Sequence, residues 1–174
     1  GDADFGVGGG VEVMSRGAYL STAMRSGARM GDTTLIDSMT DALTDPFGVG
    51  HMGITAENLV EKWGITREEQ DQVAVESHRR AAAAIADGRF VEQIVPITKK
   101  TRKGDVVVDR DEHVRPDTTL ETLAKMKPAF KKDGSVTAGN ASGINDGAAA
   151  VVLAAGDAVK AQNLKPLARL VGYA

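Results

Sequence analysis

From Val136 to Ala150 the chain reads VTAGNASGINDGAAA, a run whose side chains are so small that the backbone lies almost bare. Such a stretch is kept where something approaches the backbone closely or packs hard against it. Gly139, Gly143 and Gly147 recur at intervals of four, and Ala148 to Ala155 then continues as an apolar segment, so the run reads as a loop entering a buried strand. Spacing alone equally allows a tight turn followed by close helix packing.

Composition narrows the class without naming a function. With 174 residues, 42% of them hydrophobic and 26% charged, the chain is long enough for one domain with a sizeable core. A formal net charge of −3 offers no bulk attraction for nucleic acid or for an acidic membrane. The absence of cysteine excludes a disulfide framework and a thiolate metal site, and it fits a reducing compartment. No basic stretch with an apolar follower opens the sequence and no apolar run approaches a membrane span, so a soluble, cytoplasmic protein is expected. Twenty glycines against one Trp, two Tyr and four Phe point to close backbone packing rather than a large aromatic core.

A pass along the chain predicts a strand over Phe5 to Val13, a short helix over Thr33 to Thr44 and another over Thr55 to Trp63. Thr66 and Glu69 form a capping box for a helix that runs to about Ala86 and stops before Gly88. Phe90 to Ile97 reads as an edge strand because it carries Pro96, and a polar hairpin or loop over Lys99 to Asp105 leads to a returning strand at Val106 to Val108. A short helix between Thr118 and Lys125 follows, then a strand over Ala148 to Ala155, a helix over Asp157 to Gln162 and a last strand over Leu167 to Val171. No internal repeat is present.

The identity of the strings is more specific than their spacing. TAGNASGINDGAA at 137–149 resembles the signature of the thiolases, acyltransferases that make or cleave 3-ketoacyl-CoA. In order along the chain, GGVEVMS at 9–15, ARMGD at 28–32, DPFGVGHMGITAEN at 45–58, ESHRRAAAAIADGRFVEQIVPI at 76–97 and DEHVRPDTTLETLAKMKPAF at 111–130 resemble segments of the same family. The resemblance covers essentially the whole chain.

That resemblance implies an α/β fold with α+β character in an insertion: a CoA-binding loop domain flanked by pieces of a layered α-β-α core. It assigns 1–15 to a strand of the first core domain, 16–143 to the loop domain, 144–165 to the return into the first core domain and 166–174 to the first strand of the second. It also implies the residues that meet the acyl-CoA. His51 resembles the loop histidine that the family places over its active site, and Met52 beside it would line the acyl pocket, with a leaning toward short chains. Ser142 matches the serine that bonds the pantetheine chain, while Ala138 and Ala141 are small enough for that chain to lie against the backbone. Ala129 and Phe130 fall where the family contacts adenine and pantetheine, Arg115 where an arginine stands beside the adenine, Thr122 where relatives carry serine, and Leu43 at an apolar ligand contact.

Thiolases act through a nucleophilic cysteine, an acid/base cysteine, a GHP histidine and a NEAF asparagine, none of which this sequence contains. The resemblance therefore implies the middle of a thiolase: a chain that supplies the CoA-binding part of an acyltransferase, carries no catalytic residue of its own, holds no permanent cofactor or metal and takes a coenzyme A thioester as substrate. Homo-oligomers are expected, since the family assembles as dimers and tetramers and the uncovered strands of a fragment favour association. A non-catalytic oligomerisation module built on the same insertion is the alternative. His78, within a helical ESHRR stretch, and His113, among Asp109, Asp111 and Glu112, read as plain surface residues.

Overall fold

The computed structural model describes residues 3–173. In chain order it contains β1 (Phe5–Val13), β2 (Tyr19–Leu20), β3 (Ile36–Asp37), α1 (Ser38–Ala42), β4 (Thr44–Asp45), β5 (Gly50–His51), α2 (Met52–Trp63), α3 (Arg67–Ala86), β6 (Ile97–Thr101), β7 (Gly104–Val108), α4 (Leu120–Ala124), β8 (Asp146–Ala154) and α5 (Gly156–Ala161). Two compact units divide the chain: Gly1–Arg16 with Asn145–Ala174, and Gly17–Ile144.

The first unit is an antiparallel ribbon in which β1 pairs with β8 from Phe5↔Ala154 to Val13↔Asp146. Glycines are interspersed with valines in β1, and a side chain at Gly9 would press on the Ala149 carbonyl, so the bare positions let the two backbones lie close. At one end of the ribbon the Ser15 amide and hydroxyl donate to Asp146 at 2.9 and 2.6 Å. The side-chain bond, then the backbone bond, holds that carboxyl below the usual carboxylate range. Both faces of the ribbon are apolar and open: the cross-strand pair Val7 and Val152 is 78% and 75% exposed, and Val151 and Leu153 are exposed on the other face. Ala158, on α5, is the one buried apolar residue of this unit among the described residues. The strand expected over Leu167 to Val171 does not form, because no ladder partner lies beside it among the described residues and an unpaired strand gains nothing over solvated coil. Gly1, Asp2 and Ala174, at the edges of two expected segments, lie outside the described residues.

The second unit is organised by α2 and α3. His51 caps α2, which starts ahead of the expected Thr55, and Gly64 ends it in the left-handed conformation. Thr66 and Glu69 form the predicted capping box of α3, with the Thr66 amide donating to the Glu69 carboxylate at 2.7 Å and lowering its pKa. The expected helix over Thr33 to Thr44 is confined to Ser38–Ala42 because Asp37 accepts from the Met39 amide and fixes the start there, while Ile36–Asp37 pairs with Tyr19–Leu20. Phe90 to Ile97 is not a strand. After Gly88, at φ +70°, the chain continues in turns closed by bonds such as Ile94 N–H to the Phe90 carbonyl. Pro96 has no N–H to offer, so the ladder starts only at Ile97 and forms the β6–β7 hairpin.

The centre of this unit is more polar than apolar. Leu123 and Val136 are buried beside Thr137, which is wholly inaccessible, and the carboxylate residues Glu57 and Asp71 are 4% and 3% exposed. Buried carboxylates persist only when donors surround them.

Candidate functional site

The geometry of the site begins at the turn before α2. Asp45 accepts from the Val49 amide at 2.8 Å, and Gly48 and Gly50 adopt φ of +108° and +100°, so the chain reverses tightly and delivers His51 to the helix start. The structure half-buries His51. Its Nδ1 accepts from the Gly53 amide at 3.0 Å. An accepting Nδ1 carries no proton, so the neutral ring bears its hydrogen on Nε2, a donor left for another group. Phe130 stacks on the imidazole with centroids 4.9 Å apart and planes inclined by 20°. Gly53 makes that stack possible, because any side chain there would collide with the Phe130 ring.

Leu43, Met52 and Ala129 lie next to this pair. The Met52 amide donates to the Leu43 carbonyl at 2.8 Å, which fastens the end of α1 to the start of α2 and sets Leu43, half-buried, beside His51 and the exposed Met52. The Ala129 amide donates to the Val136 carbonyl at 2.9 Å, and Pro128 bridges to Thr137, so the Pro128–Phe130 segment runs alongside the entry to the glycine-rich run. Ala138 and Ser142 are exposed and Ala141 is half-buried.

Part of the close approach foreseen in that run is made by the chain itself. A side chain at Gly139 would meet Met126 Sδ at 2.5 Å and Leu123 Cδ2 at 2.6 Å, and one at Gly134 would strike the Glu57 carboxylate, whereas Gly147 has nothing within 4 Å. Helix α4 is bound to α3 in turn: the Arg67 guanidinium donates to the Leu123 and Met126 carbonyls at 2.5 and 3.2 Å and to Asp71 at 2.8 Å.

Two predicted residues are held by other contacts. Arg115 is exposed, and its amide donates to His78 Nδ1 at 3.2 Å, tying the segment to α3; the rings of His78 and His113 lie 6.1 Å apart. His78 is therefore a docking point rather than a plain surface residue. Thr122 spends its hydroxyl locally, accepting from the Thr119 amide at 3.1 Å and donating to the Thr119 carbonyl at 2.8 Å as part of the α4 capping box.

Residues 1–157 match the family model for the thiolase N-terminal domain. The chain belongs to the thiolase family. It is 56% identical over 174 residues to the β-ketothiolase BktB of Cupriavidus necator, an alignment that takes in 99% of this chain and 44% of the relative. The crystal structure of human mitochondrial 3-ketoacyl-CoA thiolase superposes with a TM-score of 0.90 at 49% identity, over 98% of this chain and 44% of the other; that of the same human protein in complex with CoA gives 0.86 at 46%, over 95% and 41%. The chain thus spans less than half the length of the thiolases it matches, and its α/β fold is theirs.

Three residues of the thiolase chain that carry no role in the sequence reading prove central: Glu57, Asp71 and Asn140. Arg67 and Asp71 stand four apart at the start of α3, the spacing of an ion pair on one helix face, and that was a signal available in advance. Glu57 left no such signal, because its partners are backbone amides far along the chain.

Proposed function

We propose that this chain supplies the acyl-CoA-binding loop domain of a thiolase that transfers acyl groups between CoA thioesters, and that by itself it turns over nothing. The observation that carries the reading is the His51–Phe130 stack, with Leu43, Met52 and Ala129 fastened around it. A thioester with a long flexible arm needs a narrow, mostly apolar slot with a few polar fixings. Here Met52, Phe130, Ala138 and Ala141 supply apolar surface, while His51 Nε2–H and Ser142 supply the fixings. The human mitochondrial 3-ketoacyl-CoA thiolase solved in complex with CoA supports the same ligand class. Arg115 would meet the adenine end, and Thr122, its hydroxyl engaged by Thr119, would contribute through its methyl group.

The chemistry of the complete protein would be acyl transfer through an acyl-cysteine, followed by carbon–carbon bond formation or thiolysis. With no cysteine in this chain, the nucleophile belongs to another part of that protein, and residues 16–143 act as the binding insertion between pieces of its core. No permanently bound cofactor is required. The complete protein would be a cytoplasmic homo-oligomer; no helix among the described residues is long and apolar enough to cross a membrane. One observation favours a second reading, an assembly module without ligand: Met30 and Phe47 are 97% and 93% exposed.

Calorimetric titration of the chain with acetoacetyl-CoA separates the two. The binding reading expects a weak dissociation constant, on the order of 0.1–1 mM for a partial pocket. Ser142→Phe, at an exposed position, should abolish it without changing the oligomeric state, and thiolysis should be undetectable. No heat at several times that concentration, with assembly intact, would favour the assembly module.

A further inference from the structure

Two buried carboxylates have partners that the binding reading alone does not explain. Glu57, on α2, accepts from the amides of Ser135 and Val136 at 2.9 and 2.8 Å and from the Ser135 hydroxyl at 3.3 Å. Asp71, on α3, accepts from Asn140 Nδ2 at 2.9 Å while its second oxygen takes the Arg67 guanidinium at 2.8 Å. Asn140 passes the constraint on: its Oδ1 accepts from the Thr137 amide at 2.7 Å and its Nδ2 also donates to the Ser135 carbonyl at 3.2 Å. Thr137 Oγ1 then accepts from the Gly139 amide at 3.1 Å.

The two helices therefore grip one short loop at both ends. Neither carboxylate is exposed, so neither meets a substrate directly. What they fix is the backbone from Gly134 to Asn140, which pairs with the segment carrying Ala129 and Phe130 and runs on into Ala141 and Ser142. Phe130 is the residue stacked on His51.

We infer that Glu57 and Asp71 are positioning residues: they set the height and angle of the Gly134–Asn140 loop on α2 and α3, and through it the place of Phe130, Ala138 and Ser142 in the slot. The effect on ligand rests on the acyl-CoA reading; the effect on the loop does not. A buried carboxylate does this better than an amide, because each of its oxygens is an acceptor: Glu57 Oε2 also takes the Ser135 amide at 3.1 Å, and a glutamine would turn an N–H₂ toward that amide.

The test compares Glu57→Gln, Asp71→Asn and the exchanged pair Asp71→Asn with Asn140→Asp in the full chain. Amide hydrogen exchange of residues 134–142 is read together with desulfo-CoA titration, and the urea midpoint is followed by fluorescence of the single tryptophan, Trp63 on α2. Each single variant is expected to speed loop exchange roughly tenfold and weaken desulfo-CoA by a similar factor, and the exchanged pair to recover part of both, because it restores a donor and an acceptor between positions 71 and 140 but leaves no N–H₂ at 140 for the Ser135 carbonyl. Loop protection unchanged in both single variants, or lost only in step with global unfolding, overturns the inference. Faster loop exchange in the variants of a chain that never binds desulfo-CoA leaves the inference standing and sinks the ligand reading instead. Should a carboxylate variant not fold, Asn140→Ser, which keeps both carboxylates, is measured in the same three ways: faster loop exchange at an unshifted urea midpoint supports the inference, and unchanged loop exchange overturns it.

Discussion

The two units of this chain solve the problem of a small core in opposite ways. Gly17–Ile144 has few buried apolar side chains, yet it is tied together from within by Glu57, Asp71, Arg67 and Asn140, whose partners lie 56 to 79 residues away in several cases. The β1–β8 ribbon has the better ladder, nine residue pairs, and almost no interior. Hydrogen bonding alone holds two strands only marginally; a sheet of this kind becomes stable when an apolar face is covered. The difference teaches that ladder length and self-sufficiency are separate properties: the first unit is built to be covered, the second to be clamped.

Glycine substitution should separate the two most sharply. Gly139→Ala drives a methyl into Met126 and Leu123 and is expected to cost about 1–3 kcal/mol in urea unfolding followed at Trp63. Gly147→Ala, on the ribbon with open space around it, should change stability by less than about 0.5 kcal/mol or raise it slightly. Equal costs at the two sites would mean that the ribbon is packed after all. A subtler contrast comes from Val152→Asp. Because its side chain is exposed, folding should move by only about a few tenths of a kcal/mol, while self-association in sedimentation velocity should fall. A wild-type chain that sediments as a single monomer would break this half of the comparison.

The smallest effect is electrostatic and lies on the outer side of α3. Hydrogen bonds from Arg79 and Arg80 lower the Glu76 carboxyl from 4.5 to about 2. A depressed folded pKa contributes stability that is present above the unfolded value and lost as pH falls through the folded one. Helix ellipticity should therefore slip modestly between about pH 4.5 and pH 2, and Glu76→Gln should flatten that slope. The Ser15–Asp146 bonds give the ribbon a shift of the same sign, so its loss would also come on acidification.

Much of the fold is legible in the sequence where chemistry is local. The capping box at Thr66 and Glu69 and the glycine stop at Gly88 each depend on residues within a few positions of one another, and each forms. The strand expected over Phe90 to Ile97 fails for a related reason: its β-branched composition is a weak preference, overruled by the turns that continue from α3 and by Pro96. His51 is legible as a residue but not as one half of a stack, since nothing near it in sequence announces Phe130.

The sequence by itself determined the family, the order of most helices and strands and the short glycine-rich run, because those are carried by local strings and local backbone preferences. Only the tertiary structure decided what presses on the bare positions. Gly139 is bare for Leu123 and Met126, Gly134 for Glu57 and Gly53 for Phe130, contacts between positions well separated in the chain. A glycine records that something comes close; which atoms do so depends on how distant segments meet, and that is settled by packing and by the pairing of buried charge.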